Sequence, residues 1–434
     1  MKNNERFDNA VAYALLDGHG FQQQEPVRHG APANSVKRIP RGEHITREVV
    51  EQRWQAMAAP AKARAVLMDD KDEEHMRQYE RNVENYIGTI RLPVGLAGPL
   101  RVSGLFAQGD YYVPLATTEA TLVASYSRGA QLVTEAGGCT AMLLDEGISR
   151  APGFAFQNLT EAREFVTWVS SQRAPLKRAG ESTTRHGKMT EIRATVEGNH
   201  VYLNFQFTTG DASGQNMVTI ATEAICEYIA KHSPVQPQYS FVEANHSGDK
   251  KACAQSFLSV RGKRVTAEIT VPAELVRTRL HTDPQRMVDY WRMAALGSVL
   301  SGTIGAQGHY ANGLAALYLA CGQDVACVAE SAVGVTRFEL APNGALYAAV
   351  TLPNIMVATV GGATHLPSQK ACLDILGLAG PGKCNALAEV CAALMLAGEL
   401  SIIGALCSGD FARAHQRLAR GEQRANMTLV HCND

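Results

Sequence analysis

From residue 293 to residue 323 the chain carries no Asp, Glu, Lys or Arg, and the stretch is bracketed by Arg292 and Asp324. A helix of that length would span a bilayer. Its composition points elsewhere. The stretch is rich in Gly, Ala and Ser rather than Leu and Ile, and Gln307, His309, Tyr310 and Asn312 sit at its middle. A helix that is apolar or small on all sides is buried, in lipid or in the core of a large protein. Small residues admit close approach by other backbones, and the polar midpoint points to an interior cavity. The expectation is a central helix, broken or kinked near residues 305–308, with the rest of the chain wrapped around it. A membrane span is the minority reading, because no other segment of comparable length reads as apolar.

At 434 residues the chain is long enough for a large core and more than one domain. The formal net charge of −1 removes a general electrostatic case for nucleic acid or a membrane surface, while leaving room for a local basic pocket. The ten cysteines are scattered and none forms a CxxC pair. In a chain of this size they read as reduced, mostly buried thiols in a cytoplasmic protein, and no metal site is expected. The polar N-terminus MKNNERFDNA has no apolar signal region.

In chain order, residues 1–45 are polar and broken by Gly and Pro, an arm or loose lead-in. Residues 46–59 read as a helix capped by Thr46, and residues 70–83 as a charged, exposed helix. Residues 115–133 read as a second small-residue helix with Thr117 or Thr118 as cap and Glu119 in its first turn. An acid there suits the helix dipole, which is the bland and favoured reading from position alone. The sharper one is a lone carboxylic acid whose pKa desolvation would raise.

From about residue 130 to 242 the composition becomes that of a smaller domain. Residues 190–196 and 201–207 alternate as strands joined by Glu197-Gly198-Asn199-His200, a good hairpin turn. The turn TGDASGQN then feeds a helix over residues 217–229, a ready but weak anion site. Upstream, ESTTRHGK sets Arg185 and Lys188 in a hydroxyl-rich loop that suits a phosphate, although such loops are usually just solvated. With an earlier helix over residues 159–171, the pattern fits a ferredoxin-like split βαβ unit. No GxGxxG follows a strand, so a Rossmann fold is not indicated. The run Asp249-Lys250-Lys251 is either a solvated charge run, favoured on spacing alone, or an electrostatic clamp. Residues 384–405 read as a helix apolar on most faces, and residues 411–420 as a basic helix carrying His415.

Taken together, ENYIGTIRLPVGLAGPL, PLATTEATLVASYSRGA, TTGDASGQNM, DKK, the HYAN…ACGQD end of the central run, TVGGATHLPSQKACLDILG and SGDFARAHQRLAR resemble, in order, the hydroxymethylglutaryl-CoA reductase family. The matching segments lie between about residues 80 and 420, and the DKK loop and TGD turn look like the eukaryotic and archaeal type. The resemblance implies an α+β fold: a large domain around a central buried helix (residues 46–129 and 243–420), an inserted ferredoxin-like nucleotide-binding domain (130–242), and a C-terminal tail (421–434).

It also implies NADPH-dependent, four-electron reduction of a CoA thioester, here HMG-CoA to mevalonate, by two hydride transfers. In that scheme Lys250 meets the tetrahedral oxyanion. His415 protonates the CoA thiolate. Glu119 protonates the aldehyde oxygen, and Asp324 is the buried carboxylate paired with the lysine. The cofactor falls to Asp211, Ala212, Ser213, Gly214, Gln215 and Asn216, with Thr184 and Arg185 near the adenosine 2′-phosphate. The acyl-CoA falls to Arg128, Arg150, Asn245, Asp249, Lys251, Arg292 and Asn312. A homodimer or dimer of dimers with shared active sites is implied.

Several positions depart from the family pattern. Ser213 and Gln215 stand for two methionines, and Glu243 stands for a serine where its charge would repel a substrate carboxylate. Arg292 stands, offset, for a lysine, and GAQGH is one residue short. Alternatives are the same chemistry on another acyl-CoA in a specialised pathway, or a non-catalytic CoA-binding relative.

Overall fold

The computed structural model describes residues 38–57 and 59–410. Its contacts divide the chain into two units at Ile90 and Arg91. In the first, α1 (Arg47–Met57), α2 (Ala61–Leu67) and α3 (Asp70–His75) gather around Val50, Trp54, Met68 and Tyr86. The charged segment expected as one helix over residues 70–83 is shorter. It starts at a capping box, with Asp69 accepting from the Asp72 backbone N–H, and ends in a 3-10 turn, Met76–Tyr79.

The second unit is a mixed α+β fold. Strands β1 (Val94–Gly104) and β2 (Gln108–Ala116) form a hairpin and lead to α4 (Leu122–Glu135). Next come β3 (Cys139–Arg150), β4 (Gly153–Ala155), α5 (Leu159–Ser171), α6 (Arg173–Glu181), β5 (Lys188–Glu197), β6 (His200–Thr208), α7 (Gln215–His232) and β7 (Tyr239–Phe241). Then β8 (Gly262–Val271), α8 (Ala273–Leu280), α9 (Pro284–Ser301), β9 (Gly305–Ala306), α10 (Tyr310–Ala320) and α11 (Val328–Ser331) follow. Last are β10 (Gly334–Leu340), β11 (Leu346–Ile355), α12 (Pro367–Leu376) and α13 (Cys384–Ser408).

Strand β3 joins two parts of the sheet. Its first two-thirds pairs with β8, which continues to β11, β10 and β9. Its end, Ile148 to Arg150, pairs instead with β6, beside β4, β5 and β7. Arg150 is thus carried to the boundary between the two parts. The β5–β6 hairpin turns at Gly198-Asn199 as its sequence required.

The central helix is not the one expected. The 293–323 run is split: α9 ends at Ser301 with Gly302 in the left-handed region, β9 intervenes, and α10 begins at Tyr310. The α10 half is buried, but on α9 Met293, Leu296, Val299 and Leu300 are 75%, 67%, 76% and 87% exposed. The buried axis is α13, with 21 of its 25 residues buried. It is also long and apolar enough to cross a membrane by length and composition, yet the protein itself covers 89% of its apolar window.

Close helix approach explains the small residues. A Cβ on Gly129 of α4 would lie 1.9 Å from the Ala397 carbonyl oxygen, so α4 can meet α13 only with glycine there. Two glutamates on α13 are fully buried. Glu389 accepts the backbone N–H groups of Leu105, Phe106, Ala107 and Leu143. Glu399 accepts those of Gly308 and His309, at 2.7 and 2.8 Å, and the Thr336 hydroxyl at 2.8 Å. Buried carboxylates persist only where donors meet them. Here they tie the β1–β2 turn and the entry to α10 onto the central helix.

Candidate active site

Three separated segments converge at Lys250. The loop from Asn245 to Lys250 has Asn245, Gly248 and Lys250 at φ 62°, 75° and 54°. For a lysine this left-handed conformation costs about 1–2 kcal/mol, so the surroundings must hold it. The Lys250 backbone N–H donates to Glu330 Oε1 of α11 at 3.2 Å, and its Nζ lies 2.8 Å from Asp324 Oδ2. The hydrogen bond and charge of Asp324 raise the Lys250 pKa above the ordinary lysine value.

Asp324 follows α10 and caps the next turn by accepting from the Ala326 N–H. The expected burial of Asp324 does not appear in the single chain, where its side chain keeps 39% of its exposure.

Gln215, at the start of α7, completes the convergence. Its amide nitrogen lies 3.5 Å from Asp324 Oδ2 and 3.1 Å from Cys327 Sγ. That is the physical use of an amide where the family pattern has methionine.

Gly214 immediately precedes α7 at φ 78°, where a Cβ would lie 2.2 Å from Thr209 Cγ2. Gly210, at φ 72°, has open space around it, and Ala212 and Ser213 are half-buried. Asp211 is occupied: its carboxylate accepts from the N–H groups of Gly382 and Cys384, at the start of α13. The turn is thereby fastened to the central helix, and Asn216 is exposed beside it. Arg185 is exposed, and Thr184 Oγ1 accepts from the His186 and Gly187 N–H groups.

Glu119 lies in the turn before α4, not in the helix, which begins only at Leu122. Leu115 and Ala116 still belong to β2, whose ladder outcompetes the helical pattern. The Glu119 side chain accepts from Asn312 Nδ2 at 3.3 Å and is exposed in the single chain. Among the described residues no ion pair joins Glu119 to Lys250. His415 lies outside the described residues.

The expected substrate arginines divide three ways. Arg128 is spent on α13, donating to the Ser401 carbonyl and hydroxyl. Arg292 is exposed and pairs with Asp289 one turn away. Arg150, nearly buried, reaches Asp249 at 3.0 Å and Glu243 at 3.3 Å. Although burial opposes it, Arg261 and Arg150 hold the Asp249 carboxyl below the usual range. Lys251 is exposed and donates to the Asp249 carbonyl.

Sequence reasoning did not find Arg261 and Glu330. Both are buried, Arg261 is ion-paired with Asp249, and its Nε lies 3.3 Å from Glu330 Oε2. It also missed Glu389 and Glu399, whose signal was two acids inside an otherwise apolar helix.

The chain matches the family model of hydroxymethylglutaryl-coenzyme A reductase over residues 49–420. It is 45% identical to the 3-hydroxy-3-methylglutaryl-coenzyme A reductase of Methanothermobacter thermautotrophicus over 347 residues, 80% of this chain and 87% of that one. It is 42% identical to the protein of that name from Pyrococcus horikoshii over 348 residues, 78% and 84% of the two chains. The class II 3-hydroxy-3-methylglutaryl-CoA reductase of Streptococcus pneumoniae, solved bound to NADPH, shares its fold. The TM-score is 0.62 at 21% identity, covering 82% of this chain and 86% of that one. On the extent of these matches the chain belongs to the hydroxymethylglutaryl-coenzyme A reductase family.

Proposed function

We propose that this protein reduces hydroxymethylglutaryl-CoA to mevalonate and free CoA at the expense of NADPH. The observation that carries the reading is the meeting of Lys250, Asp324 and Gln215 from three distant segments, which sets a fixed cation beside the turn assigned to the cofactor. That turn suits a dinucleotide: two left-handed glycines, one with open space around it, lead to the N-terminus of an 18-residue helix. Exposed Arg185 offers a guanidinium to a 2′-phosphate. NADPH supplies the hydride.

Lys250, held by Asp324, directs its charge at the thioester oxygen as that oxygen becomes negative. Glu119, oriented by the Asn312 amide, is assigned the proton transfer to the aldehyde oxygen in the second reduction. His415 is assigned the proton that the departing CoA sulfur takes.

The antiparallel strands β5, β6, β4 and β7 with α5, α6 and α7 support reading residues 130–242 as an inserted ferredoxin-like nucleotide domain within a larger enzyme. The exposed apolar face of α9 and the exposure of Glu119 support a homo-oligomer with shared sites. Purified protein should oxidise NADPH on addition of HMG-CoA and form mevalonate. Lys250→Ala should abolish turnover with the fold intact, and an unaffected rate would remove the mechanism.

A second reading, the same chemistry on another acyl-CoA, is favoured by Glu243. Its Oε2 lies 3.3 Å from Arg150 and accepts from the Ala151 N–H, so a carboxylate already faces that guanidinium. A panel of acyl-CoAs separates the two. NADPH oxidation with a thioester lacking the terminal carboxylate, and none with HMG-CoA, would decide for the second.

A further inference from the structure

We infer that Glu330 is a positioning residue for Lys250, acting with Arg261 as the anchor of the lysine loop; the inference rests on the catalytic reading of Lys250. Glu330 is fully buried in α11, only a few residues beyond Asp324. Its two oxygens serve different segments. Oε1 accepts the backbone N–H of Lys250 at 3.2 Å, and Oε2 lies 3.3 Å from Arg261 Nε. Arg261, also buried, faces Asp249, the residue before the lysine, and Asp249 in turn pairs with Arg150.

The Lys250 N–H and the side chain of the preceding Asp249 are therefore both held by one carboxylate–guanidinium unit. The lysine side chain is held by Asp324. Lys250 sits at φ 54°, a conformation that an ordinary loop would relax. One short segment thus supplies both holds, since Asp324 takes the amine and Glu330 the main chain. Burial raises the Glu330 pKa, while Arg261 and the Lys250 N–H oppose that rise.

The geometry distinguishes an acceptor role from packing. Glu330→Gln keeps an oxygen for the Lys250 N–H, whereas Glu330→Met fills similar space without one. When the main-chain hold is lost, Nζ leaves Asp324, its pKa falls, and more of the amine is unprotonated and nucleophilic. Two readouts follow, each with the thermal midpoint as a control for folding. The first is kcat with KM, expected to show kcat reduced about 10- to 100-fold in Glu330→Met and largely restored in Glu330→Gln, with little change in KM.

The second is the acetylation rate of Lys250 by acetic anhydride across a pH series, read by peptide mass spectrometry. It is expected to be faster in Glu330→Met than in wild type and close to wild type in Glu330→Gln. Should Glu330→Met fail to fold, Arg261→Lys, which gives up the guanidinium that faces both Glu330 and Asp249, is read the same way. Lys250 labelled at the wild-type rate in folded Glu330→Met, or Gln and Met indistinguishable, overturns the inference. A wild-type protein that does not oxidise NADPH with HMG-CoA overturns the proposed function instead, and the labelling rates still decide the role of Glu330.

Discussion

Glu399→Gln removes one oxygen from a buried position where three donors converge. The Gly308 and His309 N–H groups and the Thr336 hydroxyl, all within 2.8 Å, point at the two carboxylate oxygens. Glutamine keeps one of those oxygens and replaces the other with an NH2 that faces donors. With Oε2 replaced, the Gly308 N–H is left without an acceptor, and the Thr336 hydroxyl must turn toward Tyr310, its other neighbour at 2.8 Å. With Oε1 replaced, the His309 N–H is the one abandoned. One or two buried donors left unpaired cost about 1–3 kcal/mol each, so the substitution should destabilise by about 1–6 kcal/mol.

Loosening the entry to α10 also displaces Asn312, two residues into that helix, and with it the 3.3 Å contact to Glu119. Urea denaturation followed by tryptophan fluorescence measures the first effect as a shift in midpoint at constant slope. Steady-state kinetics measures the second as a lower kcat. A loss below about 1 kcal/mol, within the range of a solvent-satisfied surface hydrogen bond, would refute the account of Glu399 as a buried anchor.

Asp324→Asn should shift the alkaline limb of the pH–rate profile to lower pH. Asp324 raises the Lys250 pKa, so the lysine stays charged to higher pH in the wild type than in the variant. The linked stability is fully present below the ordinary lysine value of 10.5 and is lost as pH rises through the folded-state pKa. It is small because both side chains keep about two-fifths of their exposure. An unchanged profile would show that Lys250 ionisation does not limit turnover. Gly214→Ala should weaken NADPH binding and lower the thermal midpoint, because the new Cβ meets Thr209 Cγ2 at 2.2 Å in a left-handed conformation. NADPH titration by fluorescence checks it, and wild-type affinity would remove the turn from the cofactor site.

Local pattern was enough for the elements whose partners are close in sequence. Helix α5 has the bounds expected from its periodicity, with Asn158 capping it, and the β5–β6 hairpin turns where Gly198-Asn199 required. The Lys250–Asp324 pairing was legible only through family resemblance, since the residues stand far apart in the chain and each alone is an ordinary charge. Glu243 as the partner of Arg150 was not legible, because nothing local states that the end of β3 and the loop after β7 meet. Nor was the start of α4, where strand pairing of β2 claimed residues with helical spacing.

The sequence by itself singled out residues 293–323 as one long, small-residue run with a break near residues 305–308, and read residues 384–405 as a helix apolar on most faces. Backbone choice at the break depends on neighbours a few residues away. Which stretch becomes the axis was decided only by tertiary structure. A helix is central when other elements cover every face, and coverage is a property of the partners. The chain covers α13 on all sides and answers its two glutamates with N–H groups from distant turns. It leaves one apolar face of α9 open.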